Sequence, residues 1–122
     1  MARILVIDDD AAVRNALEIM LEGPAYSVEF CATGKSGLEA LRNKDFDLVI
    51  SDVIMPETDG LEVLFAVKKD FPLLKVILIS GGGRTSASEY LKLGNSLGAD
   101  GVVQKPFTLT ELIAAIETTL EA

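Results

Sequence analysis

Four apolar runs in this 122-residue chain stop abruptly at polar residues of complementary chemistry. Ile4-Leu-Val-Ile7 runs into Asp8, Asp9 and Asp10; Leu48-Val-Ile50 into Ser51 and Asp52; Val76-Ile-Leu-Ile79 into Ser80; and Val102-Val103 into Gln104, Lys105 and Pro106. Carboxylates brought into one crevice repel one another and raise at least one pKa unless a cation sits among them. A hard divalent ion with oxygen ligands answers that repulsion, and Mg²⁺ accepts two carboxylates, a backbone carbonyl and waters. Asp52 is then a competent nucleophile for an aspartyl phosphate, with Lys105 neutralising charge on the phosphoryl oxygens and Ser80 donating one more hydrogen bond. Each residue also has a plain structural reading. An Asp or Ser after a strand is commonly a turn or cap residue, and a lysine is commonly solvated. Asp10 reads as the cap of the first helix, whereas the convergence of the others at strand ends favours a site.

The elements that position these residues alternate along the chain. Leu48 to Ile50 are too few for a buried helix and rich in β-branching, so they read as a strand covered on both faces. Arg3 to Ile7 is the first strand, followed by a helix with Val13, Ala16, Leu17, Met20 and Leu21 on one face, stopped by Gly23-Pro24. Tyr26, Val28 and Phe30 alternate with polar neighbours, which predicts an edge strand with one well-buried face. A helix is expected from Ser36 to Asn43, and another from Leu61, with Asp59 and Glu62 spaced as a capping box. Ser86 and Glu89 open the fourth helix, whose apolar face holds Ala87, Tyr90, Leu91 and Gly94. Thr108 and Glu111 open the fifth, with Leu109, Leu112, Ile113, Ile116 and Leu120.

Strict alternation with short connections implies parallel strands joined by right-handed crossovers. The expectation is a doubly wound α/β fold: five parallel strands in the order 2-1-3-4-5, with five helices on both faces. That order sets the strands ending in Asp8 and Asp52 side by side at the point where the winding reverses.

Composition bounds the function classes. With 49% hydrophobic and 25% charged residues the chain reads as globular, and residues 1–122 are expected to form a single domain without internal repeats or linkers. A net charge of −8 argues against direct contact with nucleic acid or anionic membrane. No apolar run approaches the roughly 20 residues of a membrane span, and Met1-Ala-Arg-Ile enters a strand without a signal-peptide core, so a cytoplasmic location is expected. Histidine is absent, so any phospho-imidazole chemistry needs an imidazole from another molecule. The single cysteine, Cys31, reads as an inert, at least half-buried thiol.

Ile4-Leu-Val-Ile-Asp8-Asp9, the segment Asp52-Val-Ile-Met-Pro56-Glu-Thr-Asp-Gly60, Ser80 after an apolar strand, and Lys105-Pro106-Phe107 together resemble a response-regulator receiver domain of two-component signalling, over all five βα units. The resemblance implies a CheY-like, flavodoxin-like fold and a signalling phosphoacceptor rather than an enzyme acting on a separate substrate. By it, Asp52 accepts the phosphoryl group, while Asp8, Asp9, Asp52 and the backbone carbonyl of Ile54 hold Mg²⁺. Lys105 and Ser80 touch the phosphoryl oxygens, and the bond before Pro106 is cis. It also implies a sensor histidine kinase or histidine phosphotransfer protein as donor and a downstream protein as effector. Ile54 and Gly82 fall where family members position or block the water that hydrolyses the phosphate. Neither can hold one, so slow self-dephosphorylation is expected. Many members carry Tyr or Phe three residues before the lysine, where this chain has Val102.

The rival reading is a haloacid-dehalogenase-type phosphohydrolase with Asp8 as nucleophile, since Asp8 and Asp10 mimic its D-x-D pair. Against it, Ala11-Ala12 lack the usual Thr or Val, no acid pair follows Lys105, and there is no cap domain.

Overall fold

Alternation along the first strand decides how the sheet is covered. In the computed structural model, which describes residues 1–81, 92 and 96–122, β1 spans Ala2–Ile7. Its side chains point alternately to two separate cores, as a period of two requires. Ile4 and Val6 join Leu48, Ile50, Ile77 and Ile79 under Leu17, Leu112 and Ile116, whereas Leu5 and Ile7 join Val49, Val76 and Leu78 under Leu41, Val63, Leu64 and Val67. The first group of helical residues lies on α1 (Ala11–Met20) and α4 (Leu109–Glu121), the second on α2 (Gly34–Asn43) and α3 (Gly60–Asp70). Helices therefore cover both faces. Each fully buried Leu or Ile contributes roughly 1.5–3 kcal/mol of transfer free energy, so both layers are firmly held.

The remaining strands are β2 (Tyr26–Cys31), β3 (Leu48–Asp52), β4 (Lys75–Gly81) and β5 (Gly101–Lys105). All pairings are parallel and the order is β2-β1-β3-β4-β5, as alternation predicts. β2 is one of the two edges, with Tyr26, Val28 and Phe30 packed on the α1/α4 core and Cys31 half-buried on the other side. Burial pushes the Cys31 thiol pKa up, which favours the unreactive protonated form.

Element ends depart from the sequence expectation by small amounts, each with a local cause. α2 starts at Gly34 rather than Ser36, because Thr33 and Ser36 form a complete capping box in which Thr33 Oγ1 accepts from Ser36 N at 3.0 Å. Gly37 lets α2 ride close on β1: a Cβ there would lie 2.2 Å from Ile7 Cδ1, and the Ile7 side chain would have to shift. α1 ends at Met20, and Gly23 takes φ +124° in the exit turn. The box at Thr108 and Glu111 forms at α4, while at α3 Asp59 Oδ1 caps Glu62 N at 2.9 Å. β4 continues one residue past Ser80, and β5 carries Lys105 as its last residue, opposite Gly81. The helix expected from Ser86, and Gly82 and Gly83 before it, lie outside the described residues. Four helical elements are thus described where five were expected.

Candidate functional site

The order reversal puts the ends of β1 and β3 in contact. Register pairs Ile7 with Ser51, so Asp8 and Asp52 emerge as neighbours, and Asp9 follows on the solvent side. Asp8 is 1% and Asp52 9% exposed, while Asp9 is exposed. One carboxylate oxygen from each of the three lies within 4.8 Å of the others. From the end of β5, Lys105 reaches across β4. Its Nζ stands 3.5 Å from Asp8 Oδ2 and 3.8 Å from Asp52 Oδ1. Ser80 is buried at the end of β4, one residue beyond the level of Asp52, which pairs with Ile79.

Backbone donors and close packing fix these side chains. Asp8 N donates to Cys31 O at 3.0 Å, and Asp8 Oδ1 accepts from Asp10 N at 2.9 Å. Arg14, a plain helix residue by periodicity, donates from Nη1 to the Asp8 carbonyl at 2.7 Å. Asp52 Oδ1 accepts from Val53 N at 3.0 Å, and Ser51 Oγ donates to the Asp52 carbonyl at 3.0 Å. The chain then turns through Glu57, at φ +65°, and returns so closely that Gly60 N donates to Val53 O at 2.7 Å. A Cβ at Gly60 would lie 2.2 Å from the Asp52 carbonyl oxygen, so only glycine fits. Sequence reasoning missed the roles of Arg14 and Gly60, because each acts on a backbone carbonyl, which carries no side-chain signature. The one available signal for Gly60 is its place directly after the Asp59 cap.

The electrostatics follow from this packing. Burial, then the neighbouring Asp8 charge, pushes the Asp52 carboxyl up to about 6, with Lys105 and the Val53 amide pulling the other way. Asp8 is also raised, chiefly by burial, against the Asp10 amide and Lys105. Three hard oxygen anions at short separation, facing one ammonium, form a donor set that suits a divalent cation such as Mg²⁺.

The other expected residues fall around the same rim. Ile54, two residues past Asp52, has a side chain that is 52% exposed. The Lys105-Pro106 bond is cis, as the resemblance implies. Val102 lies on β5 opposite Leu78, 41% exposed, so an aliphatic side chain occupies the place of the aromatic one. Asp10 serves as the N-cap of α1, its Oδ1 accepting from Ala12 N at 2.9 Å. That engagement gives the second acid of the D-x-D pair, on which the phosphohydrolase reading with Asp8 as nucleophile rests, a capping role. Among the described residues no helix is long and apolar enough to cross a membrane.

Comparison with known proteins agrees with this geometry. The family model described as the response regulator receiver domain matches residues 4–117. Response regulator MprA of Mycobacterium sp. (strain KMS) is 40% identical over 118 residues, covering 97% of this chain and 50% of that protein. A probable transcriptional regulatory protein of Picosynechococcus sp. is 35% identical over 120 residues, covering 93% of this chain and 47% of its own length. The chain thus spans about half the length of the curated relatives it matches. The expectation of no nucleic-acid contact therefore applies to this acidic domain alone and does not carry over to such longer proteins. Among solved structures, a response regulator receiver domain protein from Clostridium thermocellum superposes with a TM-score of 0.90 at 29% identity, covering 99% of this chain and 95% of that one. A CheY-like receiver domain protein from Methanospirillum hungatei JF-1 gives 0.85 at 31% identity, covering 99% and 94%. These matches support the receiver reading and not the phosphohydrolase one. The chain belongs to the response regulator receiver domain family of two-component signalling.

Proposed function

We propose that residues 1–122 act as one receiver unit in which Asp52 takes a phosphoryl group from a phosphohistidine on a partner kinase or histidine phosphotransfer protein. The phosphorylated form then changes affinity for a downstream protein. The observation that carries this reading is a nearly buried carboxylate at the end of the central strand, with a second buried acid beside it and a lysine 3.8 Å away. One Asp52 carboxylate oxygen attacks phosphorus in line. The O–P bond forms as the N–P bond breaks, and its electron pair returns to the donor imidazole. The attacking oxygen must be ionised, and with a carboxyl pKa of about 6 most of it is ionised at pH 7.

Asp8, Asp9, Asp52 and the carbonyl of Ile54 would hold Mg²⁺, which when bound supplies positive charge to the phosphoryl oxygens. Lys105 exchanges its contacts with Asp8 and Asp52 for a phosphoryl oxygen, and Ser80 donates a hydrogen bond to another. The chain thereby catalyses its own phosphorylation and its own slow dephosphorylation, and nothing beyond them. Incubation with acetyl phosphate and Mg²⁺, followed by intact-mass measurement, tests the reading. One added phosphoryl group is expected on the parent and none on Asp52→Asn. Equal labelling of the variant would overturn it.

A further inference from the structure

We infer that Arg14 is a positioning residue for the acid pair: by holding the Asp8 carbonyl it sets the Asp8–Asp9 peptide, and with it the direction from which Asp9 meets Asp8 and Asp52. This deepens the proposed role of the site and rests on that reading. Asp8 is held at every other polar end: its N–H donates to Cys31 O, its Oδ1 accepts from Asp10 N, and its Oδ2 faces Lys105. Those contacts fix the Asp8 side chain. A tilt of the Asp8–Asp9 peptide would leave the Cys31 and Lys105 contacts intact while turning the next residue, and of the three only the Asp10 N–H bond resists it. Asp9 is exposed, so packing does not choose its direction. The guanidinium of Arg14 reaches back from the first turn of α1 and closes that freedom with a 2.7 Å bond in a part-buried setting, six residues along the chain. Guanidinium suits the task, because it remains charged at every working pH and offers donors in a fixed plane.

Electrostatics and positioning predict opposite signs for its removal. Arg14 brings a positive charge to the Asp8 carbonyl, so if charge were its whole contribution, Arg14→Met would bind Mg²⁺ more tightly. If it positions Asp9, Arg14→Met binds Mg²⁺ more weakly, by ten- to a hundredfold, the usual range for groups that orient metal ligands from behind.

The test is a Mg²⁺ titration of parent, Arg14→Met and Arg14→Lys, followed through backbone amide resonances, with thermal midpoints measured alongside. Weakened affinity in a folded Arg14→Met, amide shifts at Asp9 and Asp10 already altered without metal, and recovery of most of the affinity in Arg14→Lys are expected. Unchanged or tighter binding in Arg14→Met, its failure to fold, or no recovery in Arg14→Lys would each overturn the inference. Because the readout is metal affinity, a parent that fails to take phosphate would count against the proposed function alone, and the Arg14 comparison would still decide.

Discussion

At the amino-terminal rim of the sheet, Asp100 Oδ2 accepts from Lys68 Nζ at 2.7 Å and from Val76 N at 2.8 Å, and Asp47 Oδ2 accepts from Arg3 N at 2.8 Å. At the carboxy-terminal rim, Asp8 and Asp52 lie against each other, more deeply buried, with one lysine at 3.5 and 3.8 Å between them. The acids of the first rim meet short, direct donors and fasten loops to strands. Those of the second accept from the Asp10 and Val53 amides as well, yet carry a desolvation and repulsion cost that these donors do not offset. A cation or phosphoryl ligand at the second rim would remove part of that cost, whereas nothing comparable is left to gain at the first. Function is marked here by burial and incomplete pairing together: Asp47 and Asp100 are exposed and well paired, whereas Asp8 and Asp52 are buried beside each other.

The comparison breaks most visibly if Asp→Asn at the second rim fails to stabilise the metal-free chain. A carboxyl raised from 3.8 to about 6 binds its proton more tightly folded than unfolded. Its contribution to stability is therefore highest at low pH, falls as pH rises between these values and is flat above them. The shift corresponds to on the order of 3 kcal/mol. Asp52→Asn should thus exceed the parent by about that amount at pH 8 without metal, and by nearly nothing below pH ~3.8. Denaturant unfolding of both chains across that range checks it. A variant no more stable than the parent at pH 8 would show that the rim is relaxed.

Lys105→Ala sharpens the picture from the other side. Without the ammonium, the phosphoryl charge is only partly neutralised, and a charge-assisted contact of this kind is worth roughly 2 kcal/mol. The variant should fold and bind Mg²⁺ yet fail to convert phosphorylation into the parent's conformational response. Amide shift changes on phosphorylation that match the parent's would make Lys105 purely structural.

At the first rim the sign reverses. Asp100→Ala removes an acceptor from the Val76 amide and the partner of Lys68, and should destabilise by about 1.5 kcal/mol, mostly through the amide. Phosphoryl uptake should be untouched, and chemical denaturation with intact-mass labelling reads both.

The smallest effect concerns signal lifetime. Ile54 is half-exposed two residues past Asp52 and offers no hydrogen bond to an attacking water. Ile54→Asn should speed loss of phosphate roughly tenfold, about 1.4 kcal/mol of barrier. Decay in the parent as fast as in the variant would place control elsewhere.

Much of this was legible in the sequence because strand ends are sharply written. Ile7 before Asp8, Ile50 before Asp52 and Val103 before Lys105 each mark a change from buried to polar within one or two residues, and alternation fixes the topology that gathers them. The start of α2 was misjudged by two residues because Ser36 stands in for the usual Glu or Gln of a capping box. The grip of Arg14 on Asp8 and the return of Gly60 onto Asp52 were illegible for a different reason. They join residues through backbone atoms, which carry no side-chain signature.

The central claim is that the second rim holds Asp52 at a cost that ligands relieve, and the Asp52 carboxyl reports this directly. Carbon-detected NMR titration of its side chain, without metal and then with saturating Mg²⁺, should give a pKa of about 6 in the first case and one below the ordinary 3.8 in the second. A metal-free value near 3.8, or one that Mg²⁺ leaves unmoved, would contradict the account.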